Sequence, residues 1–338
     1  MVHGSRLTMK KILQYLFEHK TLPRTEAREV MLGIAEGRYN EAELAAFITV
    51  FLMRTITIDE LQGFRDGLLS LALPVNLSAY APIDIVGTGG DGKNTFNIST
   101  LACLVVAGAG VKVAKHGNYG ASSISGASNV MESLGYRFRN DPQQLERELA
   151  TTGFTFLHAP LFHPALKAVA GIRRHLGFRT FFNMLGPLVN PAQPAYQLIG
   201  VYSPELLRIY TYLLQQQDTP FTLIHGLDGY DEVSLTNDTK VITQAGEQVL
   251  SAFELGKRTV QPADISGGAT VAEAARIFRK ILDGEGTWAQ NAVVLANAAL
   301  SLHGRGGYSS YDDAYGAAVE SLESGRARQV LTQLIRLQ

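Results

Sequence analysis

The sequence predicts an α/β protein with a small N-terminal α-helical domain and a larger α/β domain, in which a mostly parallel central sheet is covered by helices. Residues 1–74 space their apolar side chains three and four apart and contain no plausible strand. From Pro82 onward, short apolar strands alternate with helical segments, which is typical of a parallel sheet. We therefore divide the chain into residues 1–74 and 75–338, and leave open whether later helices join the first domain.

Four helices are predicted in the first domain, in KKILQYLFEHK, TEAREVMLGIAEG, NEAELAAFITVFLMRT and TIDELQGFRDGLLSL. Thr25, Asn40 and either Thr57 or Asp59 are suitable N-cap or first-turn residues. Packing or oligomerisation is the expected role of these helices.

The second domain is predicted to contain strands at residues 83–87, 111–115, 154–159, 196–202, 221–226, 232–236 and 239–244. After Pro262 the chain is predicted to be helical again. Folds of this kind bind ligands at the carboxyl ends of their parallel strands. Functional residues are therefore expected in the loops that follow the strands.

Composition limits the possible classes of protein. Of the 338 residues, 46% are hydrophobic and 18% are charged, and the net charge is −1, so no global basic field is available to attract nucleic acid. The sequence contains no apolar run long enough for a membrane span and no signal peptide. The single cysteine, Cys103, fits a packing role in a reducing compartment. We expect a cytoplasmic protein without a membrane or nucleic-acid partner, and assign no function to residues 1–8.

The stretch GTGGDGKNTFNIST, residues 87–100, lies between a predicted strand and a predicted helix. A helix N-terminus presents unpaired N–H groups, and glycines let an anion approach them, so the stretch predicts a phosphate-binding loop. The alternative is a tight turn without a ligand. The glycine spacing is not that of a dinucleotide fold, and Lys93 is followed by Asn94 rather than by the Ser or Thr of a P-loop ATPase.

A second loop, KHGNYGASSISGASN at residues 115–129, repeats this pattern after the next strand. Lys115 supplies a positive charge, and Asn118 with several serines supplies hydrogen bonds before another helix. Two such loops on neighbouring strands would grip two phosphate groups of one ligand. Taken alone, the serines are equally well explained as helix caps.

Asp231 and Glu232 lie just beyond the predicted strand at 221–226. Adjacent carboxylates beside phosphate groups suit Mg²⁺, which takes oxygen ligands from one or two carboxylates and from phosphate. A solvated acidic turn is the alternative, and the neighbouring phosphate loops favour the metal.

The stretch LHAPLFHPALKAVAGIRRHLG contains His163 and Arg173. Ten residues of straight helix would separate these two side chains by about 15 Å, so we expect Pro164 or Gly171 to interrupt the helix. Arg173 is a candidate for recognising a carboxylate through two hydrogen bonds, and an ordinary surface arginine is the alternative.

In their order and spacing, GTGGDGKNTFNIST, KHGN, HPALKAVAGIRRHLGFRTFFNMLGPLVNP and GYDEVSL resemble the anthranilate phosphoribosyltransferase family, and the resemblance covers nearly the whole chain. It implies transfer of phosphoribose from phosphoribosyl pyrophosphate (PRPP) to the amino group of anthranilate, with Mg²⁺ and release of pyrophosphate, as the second committed step of tryptophan biosynthesis. It also implies a homodimer joined through the helical domain, with the α/β domain hinged to it.

The resemblance implies roles for individual residues, carried over by matching motifs. The positions implied to bind PRPP are Gly87, Gly89, Gly90, Asp91, Thr95, Asn97, Ser99, Thr100, Lys115, Ser122 and Ser123. The positions implied to bind anthranilate are Gly87, His116, Asn118, His163, Arg173, Gly186 and Pro187. The positions implied to lie at the metal are Asp91, Ser99, Asp231 and Glu232. No general base is evident, and stabilisation of the leaving group is expected from Lys115 and the metal.

The chain departs from the family pattern at two positions. Tyr119 follows KHGN where many members carry Arg, in a variant that resembles Bacteroidetes-type members, and Tyr230 stands in GYDE where Leu is more usual. Two other functions remain as alternatives. A pyrimidine nucleoside phosphorylase would need a pyrimidine-reading site in place of His163 and Arg173, and a noncatalytic nucleic-acid-binding relative would need a basic groove.

Overall fold

The computed structural model describes residues 8–120 and 123–338. The chain divides into two compact units: a helical unit, formed by the described residues up to Leu73 together with Phe162–Val189, and an α/β unit, formed by Pro74–Leu161 and Asn190–Gln338. Within the described ranges, the helices in chain order are α1 (Met9–Phe17), α2 (Arg24–Ala35), α3 (Glu41–Met53), α4 (Ile58–Leu71), α5 (Ile98–Gly108), α6 (Ala127–Ser133), α7 (Pro142–Thr152), α8 (Ala159–Phe162), α9 (Lys167–Leu176), α10 (Phe182–Leu185), α11 (Pro204–Leu214), α12 (Ala252–Gly256), α13 (Val271–Leu282), α14 (Trp288–Arg305), α15 (Tyr311–Glu323) and α16 (Arg326–Arg336).

The helices of the first unit begin where the sequence supplies hydrogen-bonding caps. Asn40 and Thr57 both form capping boxes, at the starts of α3 and α4, as predicted. Thr25 lies in the first turn of α2, as the prediction of an N-cap or first-turn residue allows, and Pro23 is the N-cap. Pro23 has an extended backbone (φ −61°, ψ 155°), which an N-cap requires and which proline favours.

An aromatic cluster explains why a later segment joins the helical unit. Phe181 stacks on Phe64 at 4.7 Å between ring centroids, and it contacts Phe51 edge-on at 5.0 Å. Phe47 meets the same rings edge-on. Such aromatic pairs contribute about 0.5–1.5 kcal/mol each beyond the area that they bury. The segment Phe162–Val189 is therefore part of the helical unit.

Glu60 is a buried carboxylate that ties α4 to its surroundings. It accepts hydrogen bonds from the Arg54 guanidinium (2.5 and 2.9 Å) and from the Leu22 backbone (2.9 Å). Burial alone would raise the pKa of Glu60, but these donors outweigh it and hold the pKa below its ordinary value.

We expect Glu60→Gln to lower the free energy of unfolding by about 2 kcal/mol, because Arg54 then loses its counter-charge in a largely buried setting. Unfolding in urea measures this change in the free energy of unfolding.

The contribution of Glu60 depends on pH. The ionised side chain stabilises the fold fully above its unfolded pKa of about 4.3, and this stabilisation is lost as the pH falls through the lower pKa of the folded state. The difference between wild type and variant should therefore shrink in acid. Glu247→Gln, in an exposed ion pair with Lys240, is the control and should change stability by less than about 1 kcal/mol.

The predicted fold class of the second unit is confirmed. The described strands are β1 (Ile83–Gly87), β2 (Val113–Gly117), β3 (Phe154–His158), β4 (Tyr196–Gly200), β5 (Phe221–Gly226), β6 (Thr239–Thr243) and β7 (Gly246–Leu250). They form one sheet in the order β3-β2-β1-β4-β5-β6-β7, parallel from β3 to β5 and antiparallel from β5 to β7. From β1 the chain proceeds outward through β2 and β3 and then returns to β4 on the other side, so the strand order reverses between β1 and β4.

Helices cover this sheet. The helix α5 packs against β1, β2 and β3 as well as α14, while α7 packs on β3 and α11 on β5. Apart from Ser99 and Gly108, all residues of α5 are buried, as expected of a helix that is apolar on every side. Cys103 lies within α5, and burial raises the pKa of its thiol to about 12. Among the residues that the structure describes, no helix combines the length and the apolar character needed to span a membrane.

The strand prediction needs three corrections. Residues 232–236 are not a strand, because the Val233 backbone pairs with the Asn297 side chain on α14 and Leu235 adopts a left-handed conformation (φ 59°). The strand β7 was missed, because four of its five side chains are exposed and the strand lacks apolar alternation. The strand β2 also begins two residues later than predicted, at Val113.

Candidate active site

Two glycines lie side by side where β1 and β4 end, at the point where the strand order reverses. Gly87 and Gly200 are partners in the sheet register, and Asp231 lies directly against both of them, with its carboxylate at Gly87 and its backbone carbonyl at Gly200. A Cβ atom on Gly87 would lie 2.9 Å from the Asp231 Cγ, and one on Gly200 would lie 2.5 Å from the Asp231 carbonyl carbon. Real Cβ atoms do not come so close to other atoms. Only glycine at both positions therefore allows the acidic segment, Asp231 and Glu232, to lie at this edge of the sheet.

The glycine loop, residues 87–97, leaves β1 and reaches the start of α5. Gly89, Gly90 and Gly92 have positive φ angles of 66°, 80° and 75°, a conformation that side chains other than glycine rarely adopt. The Gly89 N–H donates a 2.6 Å hydrogen bond to Oδ2 of Asp231, and the Lys93 N–H donates to Oδ1 of Asp91. The glycines are therefore needed for the path of the chain as well as for access to its backbone.

A further segment, residues 265–268, is hydrogen-bonded to the glycine loop at Asn94. The Asn94 amide donates to the Gly268 carbonyl and the Gly267 N–H donates to the Asn94 carbonyl, both at 2.7 Å. A Cβ on Gly267 would lie 2.5 Å from the Thr95 carbonyl oxygen. Sequence reasoning missed this support, and the Ser-Gly-Gly run was its only signal.

The acidic pair, Asp231 and Glu232, lies close enough to Asp91 for the three carboxyl groups to repel one another. Burial raises the pKa of Asp231 to about 7, and repulsion from Asp91 adds to the effect. Burial and repulsion from Asp231 and Asp91 also raise the pKa of Glu232, while the Ser99 backbone N–H and the charge of Lys115 act in the opposite direction. Thr95 donates a long hydrogen bond (3.5 Å) to Glu232.

A divalent cation would relieve this repulsion, so the donor set fits a hard metal ion that takes oxygen ligands. Within residues 8–120 and 123–338, no three His, Cys, Asp or Glu side chains are arranged as a ready metal cage.

The predicted site residues of the second loop differ in their exposure to solvent. The Lys115 ammonium is almost fully buried and donates to the Ile85 carbonyl at 2.7 Å, within the core of the sheet. His116 is also buried, whereas Asn118 and Ser123 are exposed. The predicted site residue Ser122 lies outside the described residues.

The two loops are joined to each other. The Asn97 amide donates to the Ser125 carbonyl (2.9 Å), and the Ser125 hydroxyl donates back to Oδ1 of Asn97 (3.3 Å). The Tyr119 ring packs edge-on against His158, and its hydroxyl donates to Glu132. The second loop is thus anchored at both of its described ends.

Two hydroxyl groups at the glycine loop have no partner within the described residues. The oxygens of Thr88 and Thr100 are buried and unbonded there, and a buried polar group without a partner costs about 1–3 kcal/mol. A bound ligand or water would satisfy them. Thr100 was a predicted site residue, and Thr88 was missed although it follows Gly87 directly.

Asp84 and Asn190 are further polar residues that the sequence did not single out. The Asn190 amide donates to Asp84 Oδ2 and to the Ala114 carbonyl, both at 2.9 Å, and so ties β1 to β2 beneath the loops. Burial raises the pKa of Asp84 to about 6. A polar residue inside the apolar run IDIV was the available signal.

The helical unit carries the other predicted residues. A 3₁₀ turn at Pro164–Leu166 separates His163 from α9, as expected from the proline. His163 is buried, and burial lowers its pKa to about 4 although the backbones of Val189 and Leu68 act in the opposite direction, so it is neutral at pH 7. Gly186 and Pro187 begin the 3₁₀ turn Gly186–Leu188.

Arg173 lies in the last turn of α9. Its guanidinium stacks over Phe182 at 5.4 Å and donates a long bond (3.5 Å) to Asn183, and burial lowers its pKa. It forms no ion pair within the described residues. A half-buried cation without a carboxylate partner is suited to receive one from a ligand.

Comparisons with known proteins agree with this arrangement. The helical bundle domain of a glycosyl transferase family matches residues 10–72, and its a/b domain matches residues 79–328. The anthranilate phosphoribosyltransferase of Bacteroides thetaiotaomicron is 55% identical over 97% of this chain and 99% of that protein. The enzyme of Cytophaga hutchinsonii is 52% identical over 97% of this chain and all of its own length.

Solved structures agree as well. Anthranilate phosphoribosyltransferase from Thermus thermophilus superposes with a TM-score of 0.89 at 33% identity, covering 96% of this chain and 98% of its own. The Saccharomyces cerevisiae enzyme in complex with PRPP and Mg superposes with a TM-score of 0.90 at 27% identity, covering 99% of both chains. The chain therefore belongs to the anthranilate phosphoribosyltransferase family.

Proposed function

We propose that this protein transfers phosphoribose from PRPP to the amino group of anthranilate, giving N-(5-phosphoribosyl)anthranilate and pyrophosphate in the second committed step of tryptophan biosynthesis. Family membership supports this activity, and the arrangement of Asp231 over Gly87 and Gly200, bonded to the glycine loop, is the observation that carries it. The lone, buried Cys103 fits work in the reducing cytoplasm.

PRPP is assigned to the α/β unit. Gly90 and the N-terminus of α5 offer backbone N–H groups to its phosphates, a favourable environment for anions. Gly87 and Gly89 are assigned to PRPP with them, and the Gly89 N–H is bonded to Asp231. The other residues assigned to PRPP are Asp91, Thr95, Asn97, Ser99, Thr100, Lys115, Ser122 and Ser123. Lys115 contributes its positive charge from beneath the loop, because its ammonium is bonded to the Ile85 carbonyl.

Mg²⁺ is the proposed metal, held by Asp231 and Glu232 with Asp91 and Ser99 close by, and the yeast relative was solved with PRPP and Mg. When bound, the ion neutralises charge on the pyrophosphate group. Breaking the anomeric C–O bond leaves negative charge on that group, and the N–H groups of the glycine loop are placed to stabilise it. The amine of anthranilate is unprotonated at neutral pH, so no strong general base is required.

Anthranilate is assigned to Arg173, which would hold its carboxylate. The other positions that the resemblance implies for anthranilate are Gly87, His116, Asn118, His163, Gly186 and Pro187. His163 acts as a neutral side chain, since burial keeps its pKa near 4. Its burial and its neutral state favour a role in shaping the helical unit rather than in proton transfer.

The experiment that tests the function follows anthranilate fluorescence on addition of PRPP and Mg²⁺, with EDTA as the control. Metal-dependent consumption of anthranilate is the expected result. Absence of turnover by folded protein would contradict the proposal. Phosphorolysis of a pyrimidine nucleoside, or oligonucleotide binding that weakens steeply with salt, would then support the alternatives, which the relatives do not favour.

Asp231→Asn should raise the Mg²⁺ concentration for half-maximal activity about tenfold, because the amide keeps the shape but removes one negative charge from the metal site. A titration of activity with MgCl₂ measures this. Asp218→Asn, a change in an exposed turn, should leave the titration unchanged. An identical Mg²⁺ requirement in the two variants would contradict the assignment of Asp231 to the metal.

We further propose a homodimer formed through the helical unit. Phe17 and Met53 of this unit are 62% and 83% exposed, and burying these two apolar side chains against a second copy of the chain would favour association. Light scattering should give twice the chain mass for the wild type and the single mass for Phe17→Glu combined with Met53→Glu. Phe253→Glu, an equally exposed position in the α/β unit, should remain dimeric. A wild-type monomer would contradict the proposal.

A further inference from the structure

The side chain of Lys93 connects two parts of the site that are far apart in sequence. Its ammonium lies over the Tyr230 ring, 4.6 Å from the ring centroid. Lys93 belongs to the glycine loop, and Tyr230 directly precedes the acidic pair. Tyr230 is 4% exposed, so the lysine meets a ring that is set into the protein.

Both ends of this contact are fixed by neighbouring hydrogen bonds. The Tyr230 carbonyl accepts a 3.0 Å bond from the Gly226 N–H at the end of β5. The Lys93 N–H donates to Asp91, and the next residue, Asn94, is bonded to Gly267 and Gly268. A cation over an aromatic face contributes about 0.5–2 kcal/mol, depending on how far it is desolvated. The contact therefore holds the lysine in a defined position.

The aromatic face has an electrostatic consequence. Within the described residues, Lys93 forms no ion pair with a carboxylate. A carboxylate partner would cancel the charge of the ammonium, whereas a ring holds it and leaves the charge uncompensated. Lys93 thus keeps a positive charge on a loop whose backbone is suited to phosphate, next to carboxylates that would otherwise repel a polyphosphate.

We propose that Lys93 is an additional contact for the diphosphate group of PRPP and of the product pyrophosphate, and that Tyr230 is the positioning residue that holds it there. This inference rests on the proposed function for the identity of the substrate. No covalent step is involved: the ammonium donates hydrogen bonds to phosphate oxygens, and the tyrosine acts only through the lysine. Lys115 cannot supply the same contact from its observed position, since its ammonium is bonded within the sheet.

The test uses three single variants, the double variant that combines Lys93→Met with Tyr230→Leu, and one control. Lys93→Met keeps the length of the side chain and removes its charge. Tyr230→Leu keeps an apolar side chain and removes the aromatic face, while Tyr230→Phe keeps the face and removes the hydroxyl. Lys280→Met, on an exposed turn of α13, is the matched control. Thermal unfolding identifies any variant that fails to fold.

Calorimetric titration with pyrophosphate and Mg²⁺ measures binding, and steady-state kinetics gives KM for each substrate. Lys93→Met should weaken pyrophosphate binding and raise the KM for PRPP about tenfold, with the anthranilate KM unchanged. Tyr230→Leu should produce part of this loss, Tyr230→Phe should recover most of it, and the double variant should be no weaker than Lys93→Met alone, because the two residues act as one unit.

An unchanged pyrophosphate affinity in Lys93→Met would overturn the inference. A double variant with additive losses would also overturn it, because Tyr230 would then act independently of Lys93. The outcome is separable from that of the proposed function. Failure of the wild type to consume anthranilate would refute the transferase activity, and the calorimetric titration would still decide whether Lys93 binds diphosphate.

Discussion

Gly200→Ala is expected to lower kcat/KM at least about 100-fold while the protein remains folded. The added methyl group would overlap the Asp231 carbonyl oxygen and come within 2.5 Å of its carbon. The acidic segment must then move away from the end of β4, and it carries Asp231 and Glu232 with it. A displacement of about 1 Å in a catalytic constellation costs on the order of 100-fold in rate.

The control for this prediction is Gly316→Ala on α15, where a Cβ would meet nothing within 4 Å. Both variants should give the same far-UV circular dichroism spectrum as the wild type. Gly87→Ala should resemble Gly200→Ala, because its methyl group would overlap a carboxylate oxygen of the same residue. Near-normal kinetics in Gly200→Ala would mean that the position of the acidic segment does not matter for the reaction.

Arg173→Ala is expected to raise the KM for anthranilate about 100-fold with little change in the KM for PRPP. Hydrogen bonds between charged groups contribute about 1.5–3 kcal/mol each, and the loss of a bidentate carboxylate contact is therefore large. The guanidinium is already desolvated and stacked on Phe182, so little reorganisation is needed to receive a ligand.

Arg174→Ala is the matched control, since Arg174 is the next residue of α9 and is exposed. Its substitution should leave both KM values unchanged. Equal effects of the two substitutions would indicate a general loss of positive charge. An unaltered anthranilate KM in Arg173→Ala would rule out carboxylate recognition by this side chain.

Much of the fold is readable from local sequence. The strands β1 and β5 were predicted to the residue, because each is a short apolar run bounded by glycine. The capping residues Asn40 and Thr57 were recognised because an N-cap bonds only its own helix. By contrast, β7 depends on pairing with β6 rather than on its own side chains, and so the sequence held no signal for it.

In the candidate site too, features of a short stretch of sequence could be predicted, whereas contacts between distant segments could not. The glycine loop and the acidic pair were found because clusters of glycine or carboxylate are visible in a short stretch. Contacts between distant segments were not foreseeable, such as Lys93 over Tyr230 or Asn190 bonded to Asp84. The orientation of Lys115 toward the Ile85 carbonyl was likewise hidden, because the sequence gives the charge of a side chain and not its direction.

The division of the helical unit into two separate stretches of chain affects its synthesis. Phe181 completes the aromatic cluster, but it leaves the ribosome long after Phe47, Phe51 and Phe64. At 5–20 residues per second, translation from Leu73 to Phe162 takes on the order of 10 s. During that interval the nascent helices lack the ring that closes their core, and the exposed phenylalanines are a site for chaperone binding or for aggregation of neighbouring chains on a polysome.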